Sequence, residues 1–348
     1  MQYENSKKII GYWLLLGVAM LIIQIVLGGV TRLTGSGLSI TEWKPILGAL
    51  PPFSDAEWQI AFDKYKTIAQ YKYLNQDFEL HNFKFIYFWE WLHRNWGRFI
   101  GIVFLIPFFY FLKKKWIEKA LGPKLIILFA LGLGQGLIGW IMVASGLNDE
   151  NLYVSHIRLA IHFISALILI SVNFWFALEL IIAENDKQHL PKIKQWNFFI
   201  LSILFFQLIY GAFMAGLKAG NAASTWPTIN GDYIPSSIYT GSIFSHPISV
   251  HFIHRGLAYL LFFVVAFWFY KIMKGSFNQK INLSAKLALG FIFIQVLLGI
   301  FTVLNAPKAL RNSFGVFESF AQLHQFVALL FLLTILWNTF LLIKKDKE

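Results

Sequence analysis

Apolar residues in this chain run in long unbroken blocks rather than alternating with polar ones. Eight blocks cover roughly 9–30, 82–112, 123–145, 157–183, 196–217, 248–273, 284–304 and 317–343. Each reaches or approaches the ~20 residues that a helix needs to cross the hydrocarbon of a bilayer. An open strand would leave backbone groups unpaired in lipid, so the blocks predict helices. The expected fold is an all-α polytopic membrane protein with eight transmembrane helices. The polar stretches between them are unequal. The first external one, Thr31 to His81, holds Gly35, Gly37, Pro45, Gly48, Pro51 and Pro52 and is expected to pack as a cap on the membrane face. The fifth, Lys218 to Pro247, is shorter, and the third and seventh are tight.

Composition agrees with a lipid solvent. Hydrophobic residues make up 57% of the 348 and charged ones only 14%, against about 25% charged in a soluble domain. The net charge is +12. Its placement argues for topology, not for nucleic acid. Lys7 and Lys8 precede the first block, and Lys113, Lys114, Lys115, Lys119 and Lys124 surround the second connection. Lys187, Lys192 and Lys194 lie in the fourth, Lys271, Lys274, Lys280 and Lys286 in the sixth, and Lys344 and Lys345 follow the last block. The alternate connections are poorer in lysine or balanced, with Asp149 and Glu150 in the third and Lys218 against Asp232 in the fifth. This positive-inside pattern places both termini in the cytoplasm, which requires an even number of spans. The absence of cysteine excludes disulfides and thiolate chemistry. The N-terminus does not resemble a transit peptide, and the first block reads as a retained helix, so a bacterial plasma membrane is the expected location.

The chain repeats itself. Leu92-His93-Arg94 with Gly97 is matched by Ile253-His254-Arg255 with Ala258, 161 residues on. Leu159-Ala160-Ile161-His162 with Ala166 is matched by Ala321-Gln322-Leu323-His324 with Ala328, 162 residues on. The odd blocks each carry Gln followed four residues later by Gly: Gln24/Gly28, Gln135/Gly139, Gln207/Gly211 and Gln295/Gly299. These read as helix packing, with Gly admitting close approach and Gln bonding across helices. Residues 1–185 and 196–348 therefore look like two copies of a four-helix unit. Four is even, so both copies share one orientation, and the bundles should be related by a pseudo-twofold axis along the membrane normal.

Ionisable groups inside a membrane are functional candidates by default. Of nine histidines, four sit one per even block in its outer third: His93, His162, His254 and His324. Each has Gly or Ala four residues later, on the same helix face, which leaves a flat surface where a porphyrin could lie. Two histidines facing across a bundle make a bis-axial haem site, and the similar spacing within each half suggests one site per half. Cross-helix hydrogen bonding is the plain alternative for one histidine and a weaker one for four related by a repeat. Copper or non-haem iron is disfavoured by the scarcity of nearby carboxylates.

Arg94, Arg98 and Arg255 lie beside these histidines. Their guanidinium groups could pair with haem propionates, or snorkel to headgroups. Glu90 precedes His93 by three residues and shares its face, and its repeat equivalent is His251. A carboxylate beside one site only suggests chemistry in the first half and a permanent haem in the second. Glu90 is the candidate catalytic proton carrier, with an ion pair to Arg94 as the alternative.

The stretches from Gly28 through Gly29-Val30-Thr31-Arg32-Leu33-Thr34 to Ser39, Glu42-Trp43-Lys44-Pro45, and Glu90-Trp91-Leu92-His93-Arg94 with Gly97-Arg98 resemble the haem A synthase family in its proteobacterial and mitochondrial branch. The other histidine segments match too, so the resemblance spans nearly the whole chain. It implies an enzyme that oxidises the C8 methyl of haem O to the formyl of haem A for terminal oxidases. By that resemblance, His254 and His324 ligate a permanent haem b. His93 and His162 form the substrate-haem site, Glu90 is essential, and a haem O synthase supplies the substrate. Some members carry a cysteine pair after the first helix; this chain has none.

Oxidising an unactivated methyl group needs iron and oxygen rather than side chains. Two rivals use the same histidines: a dihaem cytochrome b serving quinone-linked electron transfer, and a haem transporter or chaperone. The electron donor and the oligomeric state, a homo-oligomer included, are not legible in the sequence.

Overall fold

In a computed structural model the described residues are 2–44, 47–310 and 312–344; Pro45 and Lys345, used in the sequence reading, lie outside them. Among the described residues eight helices are long and apolar enough to cross a membrane. They are α1 (Gln2–Leu33), α2 (Leu80–Lys113), α3 (Gly122–Ala144), α4 (His156–Ile181), α5 (Pro191–Gly216), α6 (Pro247–Lys274), α7 (Gln279–Leu304) and α8 (Val316–Leu341). The protein is an all-α polytopic membrane protein, as its apolar blocks predict. Hydropathy starts three helices late, α1 by seven residues at Gln2 and two others by five. α5 opens on Pro191, whose fixed φ suits a first helical position. α7 opens at Gln279, where the Asn278 side chain accepts from Ile281 N. Both first turns are polar, so they read as loop.

Helix packing obeys the repeat. Within the first half α1 packs on α2 and α4, and α3 on α4; within the second, α5 packs on α6 and α8, and α7 on α8. Across the halves α1 meets α8, α4 meets α5, and α4 meets α8. A twofold axis that exchanges α1 with α5 and α4 with α8 maps this set onto itself. One pair breaks the rule: α6 packs along α7, whereas the α2 and α3 backbones stand farther apart and meet through the stacked Phe104 and Phe129 rings.

The main core lies at the inner helices, where Val18, Ile25, Leu167 and Ile170 join Ile200, Val265, Trp268, Ile292, Phe331 and Ile335. Asn197 donates to Asn338 Oδ1 (2.7 Å) and Thr339 Oγ1 (3.1 Å), and Asn338 donates to Ser284 Oγ (2.8 Å). Such a network satisfies polar groups that lipid cannot. α2 and α3 are peripheral, only 6% of each span being buried against 44% for α8. The exposed Phe99, Ile102 and Ile106 of α2 face lipid.

The segment between α1 and α2 packs as the expected cap. Ser54 caps a helix over Asp55–Tyr65 in a reciprocal pair with Glu57. Phe62, Tyr65 and Ile68 bury against Leu38, Phe83 and Ile86. Gly35 turns the chain out of α1 at φ +68°, a conformation that a side chain disfavours. Outside the membrane, hydrogen bonds from Lys44 and Lys64 hold the Glu42 carboxyl below its ordinary range.

Candidate functional site

Each of the four histidines meets the Gln and Gly of the preceding odd helix. Gln24 Nε2 lies 3.4 Å from His93 Nε2, Gln207 Nε2 3.4 Å from His254 Nε2, and Gln295 Nε2 3.2 Å from His324 Nε2. At His162 the amide of Gln135 meets Nδ1 instead, at 3.1 Å. The glycine one turn away makes room for the ring. A Cβ placed on Gly28, Gly139, Gly211 or Gly299 would stand 3.0, 2.8, 3.3 or 3.0 Å from Cε1 of its histidine. The Gln-x-x-x-Gly pattern, read from sequence as packing alone, is thus a seat for imidazole.

The second-half seats suit a metal-bound porphyrin. The His254 and His324 ring centres are 6.3 Å apart, with planes at 70°. Two imidazoles on opposite sides of one metal, with metal–nitrogen bonds of about 2 Å, have ring centres roughly 6 Å apart. His324 Nδ1 lies 3.0 Å from the Gln295 carbonyl, an arrangement that fixes the tautomer with its proton on Nδ1. Nδ1 of His93 and of His254, and the side-chain oxygens of Gln24, Gln207 and Gln295, are buried without a hydrogen-bond partner among the described residues. Each seat offers two nitrogens, and among the described residues no group of three or more His, Asp or Glu side chains converges. A porphyrin brings its own four nitrogens and needs only two from the protein.

The two histidine pairs open into one cavity of about 1120 Å³, lined by all four histidines and by Gly97, Ala166, Ala258 and Ala328. Sequence spacing suggests two separate sites, whereas this space is continuous. Ligand pockets commonly enclose ~300–1,000 Å³, so the volume exceeds what one small ligand requires.

Glu90 lines this cavity at 2% exposure. Its carboxylate accepts from Arg94 Nη2 (2.6 Å), Ser39 Oγ (2.7 Å) and Ile40 N (2.8 Å). Arg94 donates further to the Ile40 and Glu42 carbonyls. Arg98 donates to Asn95 Oδ1 and to the Lys44 carbonyl. In the second half Arg255 Nε donates to His251 Nε2 (3.0 Å), and its other nitrogens reach the carbonyls of Thr225, Pro227 and Thr228. Glu90 and His251, equivalent in the repeat, both hold the arginine four residues on, and that arginine holds an interhelical segment. These guanidinium groups line the cavity, yet the contacts they make are with the chain itself, and of these the sequence reading weighed only the Glu90–Arg94 ion pair.

The profile of the COX15-CtaA family, described as a cytochrome oxidase assembly protein, matches residues 11–336. The chain belongs to this family. It is 42% identical over 320 residues to a protein of Flavobacterium johnsoniae named heme A synthase, covering 89% of this chain and 93% of that one. A protein of the same name from Nitrosomonas eutropha is 39% identical over 345 residues, or 97% and 94% of the two chains. Another, from Paracoccus denitrificans, is 39% identical over 328 residues, or 90% and 85%.

Two groups in this COX15-CtaA chain escaped the sequence reading. The four glutamines were visible at constant spacing, but nothing in one dimension says that Gln24 and His93, 69 residues apart, touch. Arg32 stood in the motif without a role and lies in the cavity wall.

Proposed function

We propose that this chain is a haem A synthase, oxidising the C8 methyl group of haem O to a formyl group. The observation that carries the reading is the pair of imidazole seats, equivalent in the repeat and facing one cavity. The names of the relatives support it. His93 and His162 would hold the substrate, haem O, and His254 and His324 a resident haem b. Haem iron supplies oxidising power that side chains lack.

The chain's own residues orient and protect. Gln24 and Gln135 fix the imidazole rings that receive the substrate. Gly97 and Ala166 let the porphyrin plane lie against α2 and α4. The apolar wall from Leu128, Leu133 and Phe163 excludes water from the edge being oxidised. Two successive hydroxylations of the methyl carbon give a gem-diol, which loses water to leave the aldehyde. Glu90, held by Arg94 and Ser39 at the cavity wall, moves the proton that this chemistry requires. The site faces the outer side of a bacterial plasma membrane with both termini cytoplasmic. A haem O synthase supplies the substrate and a separate donor the electrons.

The test is expression in cells that make haem O but lack their own synthase, followed by extraction and chromatography of the haems. Haem A from the unaltered chain, lost in Glu90→Ala protein that keeps haem b, is the expected result. Haem b alone from the unaltered chain, with oxygen and electron supply intact, would overturn the reading in favour of a b-type cytochrome.

A further inference from the structure

Six cationic side chains line the cavity: Arg32, Lys44, Arg94, Arg98, Lys218 and Arg255. Five have clear employment. Arg94, Arg98 and Arg255 hold the interhelical segments as described, Lys44 pairs with Glu42 at 2.8 Å, and Lys218 lies 3.7 Å from the Tyr153 ring centre. Arg32 differs. Its one hydrogen bond is from Nη1 to the Ala215 carbonyl, long at 3.3 Å, while a guanidinium has five donors. Among the described residues no carboxylate forms an ion pair with it. The charge of Glu318 acts on Arg32 through space, but that carboxylate accepts from Leu310 N and Gly315 N at the start of α8.

The position is as informative as the spare donors. Arg32 follows Gly28, the seat of His93, by one turn of α1, so it lies about 6 Å further out on the same face. Ala215 follows Gly211, the seat of His254, by one turn of α5. The bond from Arg32 to Ala215 therefore spans the seam between the halves, just outside both histidine levels. A porphyrin bound between histidines turns its carboxylates toward the aqueous side, because a carboxylate in hydrocarbon is costly. The outer turn of α1 is where such a group arrives.

We infer that Arg32 is the carboxylate-binding residue of this cavity, and that it takes a propionate of the haem seated in the first half. The inference rests on the haem-binding reading above and adds to it the group that sets the porphyrin's rotation. A fork of two parallel N–H donors fixes a carboxylate in direction as well as distance. Holding one propionate selects which edge of the ring faces Glu90, and thus which methyl group is presented. Arg32 is a positioning residue by this account.

The experiment uses full-length protein in lipid nanodiscs with its second-half haem in place. Iron protoporphyrin IX is titrated in as the free acid and, separately, as the dimethyl ester, and binding is read from the Soret difference spectrum. The unaltered chain should bind the acid roughly ten- to a hundredfold tighter than the ester, the range for a charged hydrogen-bonded pair. Arg32→Gln should abolish that preference by weakening the acid alone, and Arg32→Lys should restore part of it. Equal binding of acid and ester by the unaltered chain would overturn the inference without any variant. So would a preference that survives Arg32→Gln. If neither porphyrin binds the unaltered chain, or if His93→Ala binds both as well, the haem site of the first half itself is wrong. The unchanged spectrum of the resident haem certifies that a variant is folded.

Discussion

Adding one methyl group at each imidazole seat tests the site most directly. The four glycines offer a graded series, because a Cβ would stand 2.8 Å from the ring at Gly139, 3.0 Å at Gly28 and Gly299, and 3.3 Å at Gly211. Ordinary contact begins at about 3.4 Å, so Gly139→Ala must push His162 by more than half an ångström, while Gly211→Ala asks for a tenth. Overpacking of this kind costs ~1–3 kcal/mol. If the strain is relieved by tilting the ring off its ligand, haem affinity falls about tenfold for each ~1.4 kcal/mol. The alanine itself favours the helix by up to ~1 kcal/mol, so lost haem would not reflect a broken span. The assay is haem retained per protein after detergent extraction, with haem A and haem b quantified separately. Gly299→Ala should deplete haem b and Gly211→Ala barely change it. Gly139→Ala and Gly28→Ala should suppress haem A and spare haem b. Loss that ignores this order, or haem b lost from the first-half variants, would refute the seats as drawn.

Two further outcomes follow from the same geometry. Arg255→Met removes the donors that reach Thr225, Pro227 and Thr228; external protease should then cut the 218–247 segment faster while 34–79 keeps its resistance, and equal rates would show that Arg255 does not hold that segment. Gly132→Ile puts a branched side chain where nothing lies within 4 Å of a Cβ on the cavity wall; haem A yield should fall several-fold with haem b unchanged, and an unaltered yield would place the substrate elsewhere.

The sequence made the fold legible because lipid imposes a single rule. A block of about 20 apolar residues has one stable conformation there, and the repeat then supplies the arrangement. Helix starts were missed by five residues or more where the first turn is polar, at Gln2, Pro191 and Gln279. The histidines were legible because buried ionisable groups are scarce in such blocks. Their neighbours were less so. Glu90 and Arg94 share a helix, so their pairing could be proposed from spacing. Ser39 and Ile40, which complete the carboxylate's shell, come from a segment some fifty residues away, and no local pattern encodes that return. Arg255 was offered to a propionate on proximity to His254. What decides its contacts is the fold of the fifth connection, whose carbonyls converge on it.

The departures from the repeat bear on the division of labour more than the repeat does. Glu90 against His251 is the difference visible in the sequence, yet both residues serve an arginine clamp, so that contrast alone does not separate a reactive half from a retentive one. The seam between the second and third helices of each half is a stronger contrast. In the first half Gly101, Gly132 and Gly136 line the cavity with open space before them. Their repeat equivalents are Phe262, Ile292 and Val296. Ile292 is buried in the main core and Phe262 packs against it. Bulk at these positions closes α6 on α7, whereas the α2 and α3 backbones stay farther apart, bridged by the Phe104 and Phe129 rings. A haem held behind a packed seam leaves only if helices separate, and that suits a resident group. A haem behind an open, apolar seam can exchange with the bilayer, which suits a substrate that must enter and a product that must leave. The two copies share their imidazole seats and differ in the wall around them, which supports exchange in the first half and retention in the second.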